Sequence, residues 1–210
     1  LTGFKDKENW SAGVFGGTTG LGVSAKYKVQ PWLKIKAEVG GGSYSRSDEL
    51  EGNNYDSDLN LFATGLSADF NPFHDKKGWR GLRFSIGAYA VDNTAQIKAK
   101  PGENIDLNGV TITPLGGEEL SGDLYFNNFA PYVGVAWDFM FGQEDQFAFS
   151  IDLGVLFTGS LNADLNANAA LQANPIFDQA DLDAEEQSLR DDVADINFYP
   201  VLKLGFHWQF

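Results

Sequence analysis

The last fifteen residues, Ile196 to Phe210, constrain the fold more than any other stretch. They read Ile-Asn-Phe-Tyr-Pro-Val-Leu-Lys-Leu-Gly-Phe-His-Trp-Gln-Phe. From Phe198 the even positions are Phe198, Pro200, Leu202, Leu204, Phe206, Trp208 and Phe210. The odd ones are Tyr199, Val201, Lys203, Gly205, His207 and Gln209. Successive side chains of a strand point to opposite faces, so one face is almost wholly apolar and the other mostly polar. The segment is longer than an ordinary soluble strand and stops on an aromatic residue. A long strand, greasy outside and polar inside, fits a transmembrane β-barrel.

Composition is consistent with that reading. The 210 residues suit one domain, and no run of about 18 apolar residues marks a transmembrane helix. A mean hydropathy of -0.24 fits a barrel in which half of each strand faces the lumen. Zero Cys excludes a disulfide scaffold and thiolate metal sites. A formal net charge of -14 argues against a nucleic-acid partner, which would need Lys and Arg against phosphate. The chain begins at Leu1 rather than Met, which leaves room for a removed export signal.

In chain order the pattern predicts eight strands in one barrel domain over 1–210: about 9–17, 20–29, 32–46, 58–70, 81–97, 125–139, 146–159 and 196–210. Joining 9–29 into one strand would give an odd total, and single-chain bacterial barrels have even totals. Alternation is clear from the second strand onward. Leu33, Ile35, Ala37 and Val39 face out while Lys34, Lys36 and Glu38 face in; Phe147, Phe149, Ile151 and Leu153 face out while Ser150, Asp152 and Gly154 face in. Short turns fall near 30, 75 and 143. Long outer loops are expected at about 47–57, 98–124 and 160–194, with a small hairpin at Asn108-Gly109 and a short helix from Asp181 through Glu185 and Leu189. Trp10, Trp32, Phe70, Phe73, Trp79, Phe139, Phe141, Phe147, Trp208 and Phe210 cluster beside the short ends, as an interfacial girdle would. The fold class is therefore all-β, an eight-stranded antiparallel transmembrane β-barrel of the outer membrane, with both termini in the periplasm.

The lumen face is expected to carry Lys26, Lys28, Lys34, Lys36, Glu38, Asp69, Arg83, Asp138, Asp152, Lys203 and His207. An eight-stranded barrel is just wide enough for side chains to fill. These charges then form either a salt-bridged plug, as buried charge requires, or a narrow polar path for small zwitterions. The last long loop carries Asp178, Asp181, Asp183, Glu185, Glu186, Asp191 and Asp192 against Arg190. Such carboxylates either favour cationic solutes at the mouth or stay solvated and bridge to lipid-bound divalent ions. The run from Asp178 lacks the glycine of an EF-hand loop. Neither His74 nor His207 has a Ser partner evident in the sequence, and no nucleotide loop or zinc motif is present, so no enzymatic activity, cofactor or metal is expected.

The terminal-Phe strand resembles the assembly signal of bacterial outer-membrane proteins. The chain as a whole resembles the CarO-type outer-membrane proteins, the carbapenem-associated porins proposed to take up ornithine. The likeness rests on Gly17-Thr18-Thr19-Gly20, Tyr55-Asp56, Tyr89-Ala90-Val91-Asp92-Asn93, Ala130-Pro131-Tyr132-Val133-Gly134, Gly159 with Leu165, Glu185-Glu186, Leu189-Arg190-Asp191-Asp192 and Tyr199-Pro200-Val201. It implies an eight-stranded barrel and uptake of small, often basic, amino acids. The expectation is a monomeric outer-membrane barrel, in contact with lipid and lipopolysaccharide, that passes small polar solutes passively. The competing reading is a non-conducting surface protein with structural, adhesive or partner-binding loops.

Overall fold

The structure, a computed structural model, describes residues 9–50, 53–99, 104–113 and 116–210. Its elements are β1 (Trp10–Gly17), β2 (Gly20–Gln30), β3 (Leu33–Leu50), β4 (Asn53–Phe70), β5 (Leu82–Val91), β6 (Thr94–Ala99), β7 (Ile105–Leu107), β8 (Val110–Ile112) and β9 (Leu120–Tyr125). They continue with β10 (Phe129–Phe141), β11 (Phe147–Leu156), β12 (Asn162–Ala167), the helices α1 (Ala169–Gln172) and α2 (Gln179–Val193), and β13 (Tyr199–Gln209).

Eight strands close into a barrel in the order β1-β2-β3-β4-β5-β10-β11-β13, every neighbour antiparallel, with β13 returning to β1 through Val14↔Phe206. Closure leaves the wall no free edge, which a strand crossing hydrocarbon requires because unpaired backbone groups have no water there. The outer surface is apolar along the register. Val39, Val23, Val14, Phe206, Phe149 and Phe139 are direct neighbours in one row across six strands, and all are exposed. Leu21 is 76% exposed and Ile86 67%. A belt of that extent has no place on a water-soluble monomer and matches a lipid-facing band.

At the end carrying Trp10, Phe210 and the short turns, aromatic rings meet in pairs. Trp10 lies 4.9 Å from Tyr27, Trp32 5.7 Å from Phe70, Trp79 5.7 Å from Trp137, Phe141 5.9 Å from Phe147 and Trp208 5.5 Å from Phe210. This is the girdle expected where a barrel wall leaves hydrocarbon.

Above the belt the wall continues on one side only. β3 and β4 run on as a hairpin pairing up to Leu50↔Asn53, and the upper part of β4 pairs with β6, β6 with β9, and β9 with β12. The loop expected at 47–57 is therefore strand throughout its described residues. The sequence there is rich in Ser, Asp and Asn without an apolar alternation, because outside lipid nothing demands one, while the backbone still gains by pairing. The strand expected over 81–97 is two strands. It breaks at Asp92-Asn93, where the Phe62 N–H donates to the Asn93 side chain at 3.1 Å and the Asp92 N–H donates to the Phe62 carbonyl at 2.8 Å.

The other two long loops hold a folded cap. The β7–β8 hairpin turns at Asn108 and Gly109, both at positive φ, as a two-residue hairpin turn requires. Ile105, Leu107, Ile112, Leu171 and Leu182 form the cap's own buried core. The helix in 179–193 is capped by Asp178, whose carboxylate accepts from the Ala180 N–H at 2.9 Å, so it begins two residues before Asp181.

Candidate functional site in the closed lumen

Arg83 organises the interior. Alternation on β5 points it inward between the outward Leu82 and Phe84, and the register brings Asp69, Asp138 and Asp152 around it from three other strands. Its Nη1 donates to Asp69 at 2.8 Å, its Nε to Asp138 at 3.1 and 3.2 Å, and its Nη2 to Asp152 at 2.9 and 3.0 Å. Asp69 also accepts from Ser85 at 2.8 Å and Ser67 at 3.3 Å. A planar guanidinium with five donors suits three carboxylates in a way a lysine ammonium cannot.

A second group lies beside it. Lys36 sits 3.0 Å from Glu38 and 3.5 Å from Asp152, and Lys203 pairs with Glu38. The Lys203 ammonium also lies 5.0 Å from the Phe15 and Tyr89 ring centroids and 6.0 Å from that of Tyr132, within cation–π range. His207 contacts Lys26 at 3.2 Å, Ser150 at 3.1 Å and Ser24 at 3.5 Å. All of these charged residues are buried. Removing so much charge from water is tolerable only because each carboxylate has a cation and hydrogen bonds.

Beyond the charges an apolar layer crosses the barrel. Tyr89 and Tyr132 meet edge to face at 5.2 Å and pack with Ala63, Val91, Ala130, Leu156 and Val201. Glycines opposite make room for the two rings. A Cβ on Gly65 would lie 2.4 Å from the Tyr89 ring, and one on Gly134 would lie 2.3 Å from the Tyr132 hydroxyl. The remaining voids measure about 10 Å³ beside Phe15, Lys36 and Lys203, and about 30 Å³ beside Lys26, Asp138 and His207. That is room for one or two waters and not for a solute.

Of the residues expected on the lumen face, Lys26, Lys36, Glu38, Asp69, Arg83, Asp138, Asp152, Lys203 and His207 enter this cluster. Lys28 and Lys34 do not. They are half-buried and line a separate pocket at the terminal end. Phe15 was not expected inside; glycines at 13, 16 and 17 blur the alternation of β1. Sequence reading also missed the proximity of Ser150 to His207, which only the pairing of β11 with β13 creates. Ser150 is wholly enclosed, so a substrate has no route to this pair.

The acidic residues of 178–192 share one helix and its N-cap, and several fasten it to the cap. Glu185 accepts from the Asn108 N–H at 2.9 Å, Asp181 from the Asn108 side chain at 3.1 Å and Glu186 from the Leu165 N–H at 2.9 Å. Asp183 and Asp191 accept from Gln179 and Gln187 on the helix itself. Asp192 is exposed. Among the described residues no group of His, Cys, Asp or Glu is placed to hold a metal ion.

Fold and site together define a membrane-spanning antiparallel β-barrel of eight strands with a charge-filled lumen. Within that class the chain has the fold of two crystal structures from Acinetobacter baumannii. It matches CarO2 at 23% identity and a TM-score of 0.68, over 96% of this chain and 98% of that one. It matches CarO at 21% identity and a TM-score of 0.66, over 95% and 97%. No protein-family model matches the chain. No curated protein matches it either.

Proposed function

We propose that the protein is an outer-membrane barrel, shut at rest, that anchors and presents a folded cap at the outer surface, with its termini in the periplasm. One observation carries this reading: midway the lumen is filled by a mutually neutralising ion cluster under an aromatic layer, and the voids beside that cluster measure about 10 and 30 Å³. Lipid and lipopolysaccharide are the partners of the apolar belt, and the likeness to the CarO barrels in fold supports the outer-membrane setting. Single-channel recording in planar bilayers tests it. The purified chain is expected to give no steady conductance in salt, and a persistent open level would overturn the closed reading.

A second reading, passive uptake of small basic amino acids such as ornithine, is favoured by one feature. The lumen already binds an alkylammonium group, that of Lys203, between aromatic rings and Glu38. A free basic amino acid carries the same group and would compete for the same cage. Displacing Lys203 then becomes the opening step, and the solvated Asp183, Asp191 and Asp192 raise the local concentration of cations. Lys203→Met removes the tethered competitor. Swelling of proteoliposomes in ornithine that appears in the variant supports uptake through this cage; equal, absent swelling in both proteins removes it.

A further inference from the structure

The terminal end of the lumen holds a pocket that the ion cluster leaves unbalanced. It measures about 260 Å³ and is lined by Lys26, Lys28, Lys34, His74, Arg80 and Asp145 among others. This is just under the ~300 Å³ at which small-molecule sites begin. Deeper in, Glu38, Asp69, Asp138 and Asp152 are matched by Lys36, Lys203, Arg83 and Lys26. At the mouth, Arg80 is matched by Asp145 through two hydrogen bonds of 2.5 and 2.9 Å. Lys28 and Lys34 are left over, and neither has an ion-pair partner among the described residues.

Their placement is costly. β2 and β3 set Lys28 directly across from Lys34, and Lys26 directly across from Lys36. Like charges opposite one another destabilise a sheet pair. The inner lysines are relieved by carboxylates, Lys36 by Glu38 and Asp152 and Lys26 by the charges of Asp138 and Asp69. Among the described residues the outer two have no ion pair, although Asp138 attracts Lys34 at longer range, and they share their pocket with Ser11, Asn71 and Arg80. Asp69, which pairs across from Lys34, and Asp138 are the nearby carboxylates, and both are committed to Arg83.

We propose that this pocket is a binding site for a small multiply charged anion bearing phosphate or carboxylate groups, held between the ammonium groups of Lys28 and Lys34. A doubly charged oxyanion supplies the charge the mouth lacks and fits a pocket too small for a large ligand. Binding here is independent of whether the lumen conducts, because Lys28 and Lys34 stand outside the closed cluster and only Lys26 borders both.

The test uses the full chain in zwitterionic detergent with pyrophosphate and citrate as probes, read by titration calorimetry at low ionic strength. Saturable binding is expected, weakening as salt is added. The double variant Lys28→Gln/Lys34→Gln should lose affinity by about tenfold or more, the size of one charge-assisted contact. Lys98→Gln, on β6 above the belt, should leave it unchanged. Both variants are first checked for the unheated gel mobility of a folded barrel. Absence of saturable binding by either probe, or equal affinity in the double variant, overturns the proposal. Adding an anionic phospholipid to the micelles identifies the source of the group. Competition with pyrophosphate assigns the site to a lipid headgroup phosphate, and its absence assigns it to a free anion.

Discussion

The barrel and the cap bury opposite things. In the barrel Arg83, Lys36, Asp69 and Asp152 are inside, while Leu21, Ile86 and Phe129 are exposed. In the cap Leu107, Ile112, Leu171 and Leu182 are inside, and the outer side of α2 is carboxylates and amides. One rule accounts for both: each group sits where its solvent is. The barrel wall meets hydrocarbon, so charge retreats to a lumen where it must be paired. The cap meets water, so apolar side chains collapse against one another. Two interiors of opposite polarity within one chain should therefore fail under opposite substitutions.

Arg83→Gln is expected to strike the barrel hardest. One guanidinium serves three aspartates, and its loss leaves three buried anions short of a cation. Breaking a buried ion pair costs about 3–5 kcal/mol. Refolding from urea into detergent should yield little protein with the unheated gel mobility of a closed barrel. Recovery equal to the parent chain would mean that the ion cluster does not hold the lumen shut.

A charge placed on each outer surface sharpens the contrast. Leu204 stands mid-strand on the lipid face of β13 and is 49% exposed; Ile176, between the cap helices, is 55% exposed. Their similar exposure means different things if one meets lipid and the other water. Leu204→Arg should destabilise the barrel in vesicles by about 2–4 kcal/mol. Ile176→Arg should stay within about 0.5 kcal/mol of the parent. Equal effects in a urea titration would place the belt out of the membrane.

The same division decides what could be read from sequence. Where a strand crosses lipid, alternation is imposed by solvent, and Leu33 to Val39 or Tyr199 to Gln209 sort themselves without help from the fold. Where the wall rises above the belt, that pressure stops. Asn162–Ala167 reads Asn-Ala-Asp-Leu-Asn-Ala and looks like loop, yet it pairs with β9 along its whole length. Residues 47–50 and 53–57 disappear from view for the same reason. The inward set of charges was legible residue by residue, but their partners were not. That Arg83 meets Asp138 and Asp152 depends on the β5–β10–β11 register, and no spacing along the chain encodes it. The docking of α2 was also hidden, because its ties run from carboxylates to backbone N–H groups far away in sequence.

The smallest expected effect tests the cap's electrostatics alone. Asp164 on β12 accepts from Arg190 at 2.7 Å and from the Tyr125 hydroxyl at 2.9 Å, and Arg190 also bonds the Ala163 carbonyl at 2.8 Å. These two bonds, Arg190's first, hold the Asp164 carboxyl below the usual carboxylate range. A carboxyl depressed in the folded state contributes stability that is present above the unfolded value of ~3.9 and is lost as pH falls toward the folded one. Both partners are partly open to water, at 44% and 40% exposure, so screening keeps the contribution small. Amide exchange in α2 and β12, corrected for its intrinsic pH dependence, should therefore quicken by no more than about fivefold between pH 5 and pH 3. The barrel strands should not follow. Asp164→Asn should flatten most of that change, which separates this contact from the other cap carboxylates titrating in the same range. A pH response identical in the variant would show that Arg190 anchors the helix through the Ala163 carbonyl rather than through charge.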